Sequence, residues 1–172
     1  MTRRGTLALA TFTLLLFAGE ARAQRASLAV GAAVPVSDYS TAAGTGIDLD
    51  LQVRTEPMIG PLALRIDIGY DRFSGKGGVA NTTLSAETVS VMGDFGSMFY
   101  LAAGPGYYQS TAQTQISGHN VNDQRQYLGA QAALGVNIPV FRWQGFLEVG
   151  GVKLFTPGPG KAYVPLRFGI RL

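Results

Sequence analysis

The stretch GIDLDLQVR, Gly46 to Arg54, alternates without a slip. Ile47, Leu49, Leu51 and Val53 fall on one parity, and Asp48, Asp50, Gln52 and Arg54 on the other. Successive side chains of a strand point to opposite faces, so the pattern predicts a β-strand with one apolar and one charged side. It leaves open which side meets water. In a soluble protein the aliphatics turn inward. In a membrane barrel they turn outward to lipid and the charges line the interior. The rest of the chain has to choose.

Its start, MTRRGTLALATFTLLLFAGEARAQ, has Arg3 and Arg4 ahead of an apolar run over about residues 7–19, then Ala21-Arg22-Ala23. A basic head, an apolar middle and a small-x-small site make the layout of a secretory signal. The apolar run is shorter than the roughly 18–20 residues a spanning helix needs. The expectation is a signal peptide over 1–23 and a single exported domain over 24–172. The chain has 14 Lys+Arg and 11 Asp+Glu. With the leader's three arginines and one glutamate set aside, 11 basic groups face 10 acidic ones, so the pI of 9.4 overstates the mature charge. No basic face asks for nucleic acid. The absence of cysteine excludes disulfides, thiolate metal sites, a thiol nucleophile and a lipidated cysteine anchor.

Eight strands are predicted: about Ser27–Val36, Gly46–Thr55, Leu62–Phe73, Thr83–Asp94, Met98–Ser110, Arg125–Val140, Gly145–Phe155 and Ala162–Leu172. No stretch has the three-to-four spacing of an amphipathic helix. Short turns follow the even strands (EPMIGP, GDFGSM, FRWQ). Longer polar linkers follow the odd ones (SDYSTAAGT, SGKGGVANT, TAQTQISGHNVNDQ, TPGPGK). Two lengths in phase fit an all-β, eight-stranded antiparallel up-and-down transmembrane barrel, with turns at one rim and loops at the other.

The strand faces agree. On the third, Leu62, Leu64, Ile66, Ile68 and Tyr70 oppose Ala63, Arg65, Asp67, Gly69 and Asp71. On the last, Val164, Leu166, Phe168, Ile170 and Leu172 oppose Tyr163, Pro165, Arg167, Gly169 and Arg171. The fourth, fifth and seventh are less regular: Met92 falls opposite Val89 and Val91, Pro105 interrupts the fifth, and both parities of FLEVGGVKLF are partly apolar. Glu148 is assigned inward and Lys153 near a rim. The expected interior charges are Asp48, Asp50, Arg54, Arg65, Asp67, Asp71, Glu148, Arg167 and Arg171. Their signs nearly balance, as a paired network in a narrow lumen requires. Aromatics gather at strand ends: Phe95, Phe99, Phe141 and Trp143 by the short turns, and Tyr70, Phe73, Tyr107, Tyr108 and Phe155 by the long loops. Such placement matches interfacial girdles, with Tyr70, Phe95, Phe99, Tyr107, Phe141, Trp143 and Phe155 as the expected girdle.

The closing residues, YVPLRFGIRL, resemble the terminal strand of outer-membrane barrels, in which apolar residues alternate up to an aromatic end. YLAAGPGYY and GFLEVGG resemble the small eight-stranded outer-membrane proteins of the OmpA/OmpX and opacity-protein type. The resemblance implies a place in the outer membrane of a Gram-negative-type bacterium, among outer-membrane lipids and lipopolysaccharide. It implies that Phe168, Ile170 and Leu172 are read by the barrel-assembly machinery, Leu172 standing where phenylalanine is usual. It leaves the ligand of the surface loops open.

Catalytic chemistry has little to stand on. The one histidine, His119, rules out a three-histidine metal site. An esterase-like set could draw on His119 with Ser110 or Ser117 and Asp123, and two barrel families of this size modify lipid A, one as an acyltransferase and one as a deacylase. Against that, Ser117 and His119 fall in a polar linker, and catalysis needs held geometry. GKGG lacks the spacing and following helix of a phosphate loop. No catalytic residue, cofactor or metal is expected. The reading is an outer-membrane barrel with a structural, surface-interaction or binding role and a side-chain-filled interior. The alternatives are a lipid A-modifying enzyme and a soluble periplasmic lipocalin-like binding barrel.

Overall fold

The computed structural model describes residues 25–76, 82–116, 119–140, 143–157 and 160–172, with the side chains at 115, 116, 119, 120 and 140 left aside. The expected signal peptide over 1–23, Ser117 and Phe141 lie outside the described residues. Eight strands form: β1 Arg25–Val36, β2 Gly46–Arg54, β3 Leu62–Ser74, β4 Thr82–Gly96, β5 Phe99–Ile116, β6 His119–Val140, β7 Trp143–Leu154 and β8 Lys161–Arg171. Each pairs antiparallel with the next, and β1 closes onto β8 with Leu28 opposite Ile170 and Val34 opposite Val164. Closure leaves no sheet edge around the barrel body, while the upper part of β6, ahead of Gly129, runs without a β7 partner.

The opening stretch chooses its orientation. Ile47 is 61 % exposed and Asp48 is fully buried. The same sense holds around the barrel: Leu28, Val30, Leu64, Val91, Leu101, Leu134, Leu147 and Phe168 face out, while Asp67, Ser90, Gln131 and Glu148 face in. The arrangement is inside-out relative to the lipocalin-like alternative, which would need the leucines within.

Three local expectations are corrected. TAQTQISGHNVNDQ is not a loop: β5 and β6 continue through it as a hairpin, with Thr114 opposite Val121 and Ile116 opposite His119. From Val121 to Gln126 every residue is exposed, while the β5 arm still pairs with β4 as far as Thr114–Thr82. With water on both faces of the β6 arm its side chains carry no period-two contrast, which is why the stretch reads as linker. SDYSTAAGT contains a short helix, α1, over Tyr39–Ala42, entered through Ser37 at φ 53. Pro105 does not interrupt β5. It faces outward, opposite Ala130 of β6, at the point where the β4 ladder skips between Ser90–Gly106 and Gly93–Ala103. A proline fits a strand where no donor is demanded.

The inward face of β7 is Phe146, Glu148, Gly150, Val152 and Leu154, which separates the two partly apolar parities. Phe73 and Tyr108 also point inward, and both are buried to 1 % or less, although they lie near the loop end with the expected outer ring of aromatics.

Candidate functional site

The interior is a layered filling. Midway along it, the Arg65 guanidinium of β3 grips Asp67 with Nε and Nη2, both at 2.8 Å. It also crosses the lumen to Glu148 of β7, with Nη1 2.6 Å from Oε2. Arg167 of β8 holds Asp48 of β2 through Nε at 2.8 Å and Nη2 at 2.9 Å, and donates from Nη1 to the other Glu148 oxygen at 3.2 Å. Glu148 therefore sits between two guanidiniums, and the Tyr100 hydroxyl donates to it at 2.9 Å. Asp50 lies 3.4 Å from Arg167 and accepts from Gln52 at 2.9 Å. Forked, bidentate pairs of this kind are the strong form of the ion pair, and burial demands them, since an isolated charge here would be costly.

Small residues make the room. A Cβ at Gly135 would run into the Tyr100 ring, and one at Gly169 into the Phe146 ring. Tyr100 and Phe146 pack with Ala29 as an apolar layer towards the end that holds the chain termini. At the other end Phe73 stacks edge-on against Tyr163 and Tyr39, with ring centroids 5.4 Å apart in both pairs. Tyr163 donates to Asp71 at 2.6 Å, joining this layer to the charges. Tyr39 comes from α1, so the helix folds its aromatic into the mouth. Burial, and the nearby Asp71 carboxylate after it, hold the Tyr39 phenol far above its ordinary range, which keeps it neutral.

All nine expected interior charges face inward: Asp48, Asp50, Arg65, Asp67, Asp71, Glu148, Arg167 and Arg171 are buried, and Arg54 is 13 % exposed. The sequence reading missed Asp94, which is fully buried and 3.1 Å from Arg54. It is the last residue of the fourth predicted strand, where GDFGSM begins to turn, and its parity with Met92 and Ser90 carried the signal. Tyr100, Tyr108, Tyr163, Gln52 and Gln131 complete the polar filling. With Asp94 the described interior has six carboxyl groups to four guanidiniums.

Elsewhere, Tyr70, Phe95, Phe99, Trp143 and Phe155 project outward near the strand ends, and Tyr107 projects outward from the middle of β5. Phe168 and Ile170 face outward on β8, and the Leu172 amide donates to Ala26 O at 2.8 Å. Of the hypothetical catalytic set, Ser110 is not brought to His119, and Ser117 and the His119 side chain lie outside what is described. Ser110 is buried and opposite Arg125, six residues from the His119–Ile116 pair, or about 20 Å along the strand. Asp123 is taken by Arg125 at 2.9 Å, a contact that raises the guanidinium's pKa. Among the described residues, no group of three or more histidine, cysteine, aspartate or glutamate side chains could hold a metal ion.

No protein-family model and no curated protein sequence matches the chain. Solved structures do. Neisserial surface protein A is 15 % identical, with 87 % of this chain and 96 % of that one covered and a TM-score of 0.59. A major outer membrane protein of Thermus thermophilus is 12 % identical, with 88 % and 100 % covered and a TM-score of 0.60. Ail, the attachment invasion locus protein of Yersinia pestis, is 11 % identical, with 87 % and 99 % covered and a TM-score of 0.55. The chain thus has the fold of the small eight-stranded outer-membrane barrels.

Proposed function

We propose that the protein is an integral outer-membrane barrel that acts by its surface and not by catalysis or wide-pore transport. One observation carries this: the outward face is a belt of exposed aliphatics and aromatics while most of the barrel's charges are turned inward, where Arg65 and Arg167 pair with Asp48, Asp67 and Glu148. An exposed apolar belt of this extent is untenable in water and natural in lipid. The strands are long enough for it, since about 9–11 tilted residues cross a bilayer, and β3 has 13 and β7 has 12. Outer-membrane lipids and lipopolysaccharide then surround the belt, and Phe168, Ile170 and Leu172 serve the assembly machinery.

The interior is a plug. Arg65, Arg167 and Glu148 tie opposite walls across it, and apolar layers close it above and below. A surface role falls to the projecting β5–β6 hairpin and the mouth beside it, where a cavity of about 660 Å³ is lined by Tyr39, Asp123, Arg125, Tyr127 and Lys161. The names of two proteins of this fold, a surface protein and an attachment invasion locus protein, are consistent with such a role.

Cell fractionation tests the location: the protein is expected in the outer-membrane fraction and should change gel mobility on boiling. Recovery as a detergent-independent soluble monomer would overturn the reading. In planar bilayers the refolded protein is expected to add no large conductance steps; porin-sized steps would overturn the plug.

A further inference from the structure

At the end of the barrel that holds the chain termini lies a second cavity, of about 730 Å³, into which Arg25, Arg54 and Arg171 converge beside Asn137 and Gln144. We propose that it binds an oxyanion of the phosphate class, held by Arg54 and Arg171, with Arg25 at the entrance. The inference rests on barrel closure and this side-chain cluster, independently of whether the belt lies in a membrane.

The cluster is unbalanced as it stands. Arg25 and Arg54 are direct cross-strand partners, and so are Arg54 and Arg65. Like charges directly opposite one another in a ladder are destabilising. Arg65 is satisfied from the far side by Asp67 and Glu148, so the repulsion between Arg25 and Arg54 is what remains. Arg54 uses Nη2 on Gly96 O at 3.0 Å and on Asp94 at 3.1 Å, while its buried Nε has no hydrogen-bond partner.

Arg171 is the sharper case. It is 8 % exposed, its guanidinium lies over the Tyr100 ring at 5.4 Å and the Phe146 ring at 5.7 Å, and its Nε also lacks a hydrogen-bond partner. Among the described residues no carboxylate comes within 4.0 Å of it. Arg171 is also in polar contact with the Tyr100 side chain, but stacking on aromatic rings leaves other in-plane N–H donors of a guanidinium available, and that fork matches phosphate and carboxylate oxygens. Asn137 donates its amide to Ser97 O, and its own Oδ1 is unpartnered, which fits a protonated or hydroxylated edge on the ligand. Among the described residues that line the cavity, three carry guanidiniums and one, the exposed Glu56, a carboxylate; the buried Asp94 lies behind Arg54. Two sources share this chemistry: a free oxyanion, or a phospholipid headgroup arriving past the exposed Met98 and Trp143 of the same rim.

The test uses the full barrel refolded in an uncharged maltoside detergent, with folding checked by heat-dependent gel mobility. Inorganic phosphate is titrated by calorimetry at low chloride. One saturable site is expected, weakened about tenfold or more in Arg171→Gln, the loss of a charge-assisted fork, and unchanged in Lys153→Gln on the outer face of β7. Arg25→Gln, at an exposed position, gives a second variant should Arg171→Gln fail to fold, and is expected to weaken binding too. In a second arm the barrel is placed in phosphatidylcholine nanodiscs with or without phosphatidylglycerol. Loss of phosphate binding only when phosphatidylglycerol is present assigns the site to a headgroup; retention assigns it to a free anion. Absence of saturable binding in both arms, or binding unchanged in every folded arginine variant, overturns the proposal.

Discussion

Arg65 on β3 and Glu148 on β7 meet across the full width of the barrel, Nη1 to Oε2, at 2.6 Å. The sequence separates them by 83 residues. The contact makes Glu148 the shared acceptor of Arg65, Arg167 and Tyr100, and so the hub of the interior.

Glu148→Gln should therefore cost more than any one bond it makes. Two buried guanidiniums lose their common counter-charge, and breaking one side of a buried pair typically costs about 3–5 kcal/mol. Tyr100→Phe removes a single donor to the same carboxylate and should cost about 1.5–3 kcal/mol. Equilibrium urea unfolding in lipid vesicles measures both. If Glu148→Gln proves as mild as Tyr100→Phe, the hub assignment fails.

The two faces of β2 give a second prediction. Leu51 points outward, and Gln52 is buried beside Asp50. Leu51→Arg should destabilise by about 2–4 kcal/mol in a bilayer, as an arginine near the midplane does. Gln52→Arg adds its charge next to Asp50, whose Oδ1 has no hydrogen-bond partner, and should be the better tolerated. The ordering, read from paired refolding titrations, is the discriminating quantity.

Packing around Phe146 gives a third. A methyl at Gly169 would overlap the Phe146 ring and approach Leu28 O at 2.7 Å, whereas one at Gly151 would meet nothing within 4 Å. Gly169→Ala should cost about 1–3 kcal/mol, the range for overpacking. Gly151→Ala should leave the unfolding midpoint where it is.

The mouth gives a fourth. Tyr39 anchors α1 by its ring on Phe73, and the helix closes with the Ala43 amide donating to Tyr39 O at 2.9 Å. Tyr39→Ala removes the anchor and should release that helix while the barrel below stays folded. Hydrogen exchange of the Ala43 and Gly44 amides should then accelerate with little change at β2 or β3. Exchange unchanged at those two amides would show that the loop holds itself.

Parity made most of the interior legible. GIDLDLQVR, the third strand and the last strand assigned Asp48, Asp50, Arg54, Arg65, Asp67, Asp71, Arg167 and Arg171 to one face, because a one-residue shift would turn every aliphatic to the wrong side. Where both faces share one character, parity is silent. The β5–β6 hairpin is polar on both sides and read as linker; β7 is apolar on both sides apart from Glu148, whose inward assignment carries Phe146 and Val152 with it, and the burial of both agrees. Tyr39 could not be found at all, since four residues of helix carry no period, and its burial depends on Phe73 being delivered from another strand.

By itself the sequence determined the strand number, the alternation and which residues share a face, because these follow from covalent geometry repeated every two residues. It also narrowed the chemistry, with no cysteine and one histidine. Only the tertiary structure decided who meets whom: that Arg65 finds Glu148 and Arg167 finds Asp48, and that Arg171 settles on two aromatic rings. Those choices depend on how the strands stagger as the sheet closes on itself, which sets inward side chains from distant strands at one height, and no local pattern records that stagger.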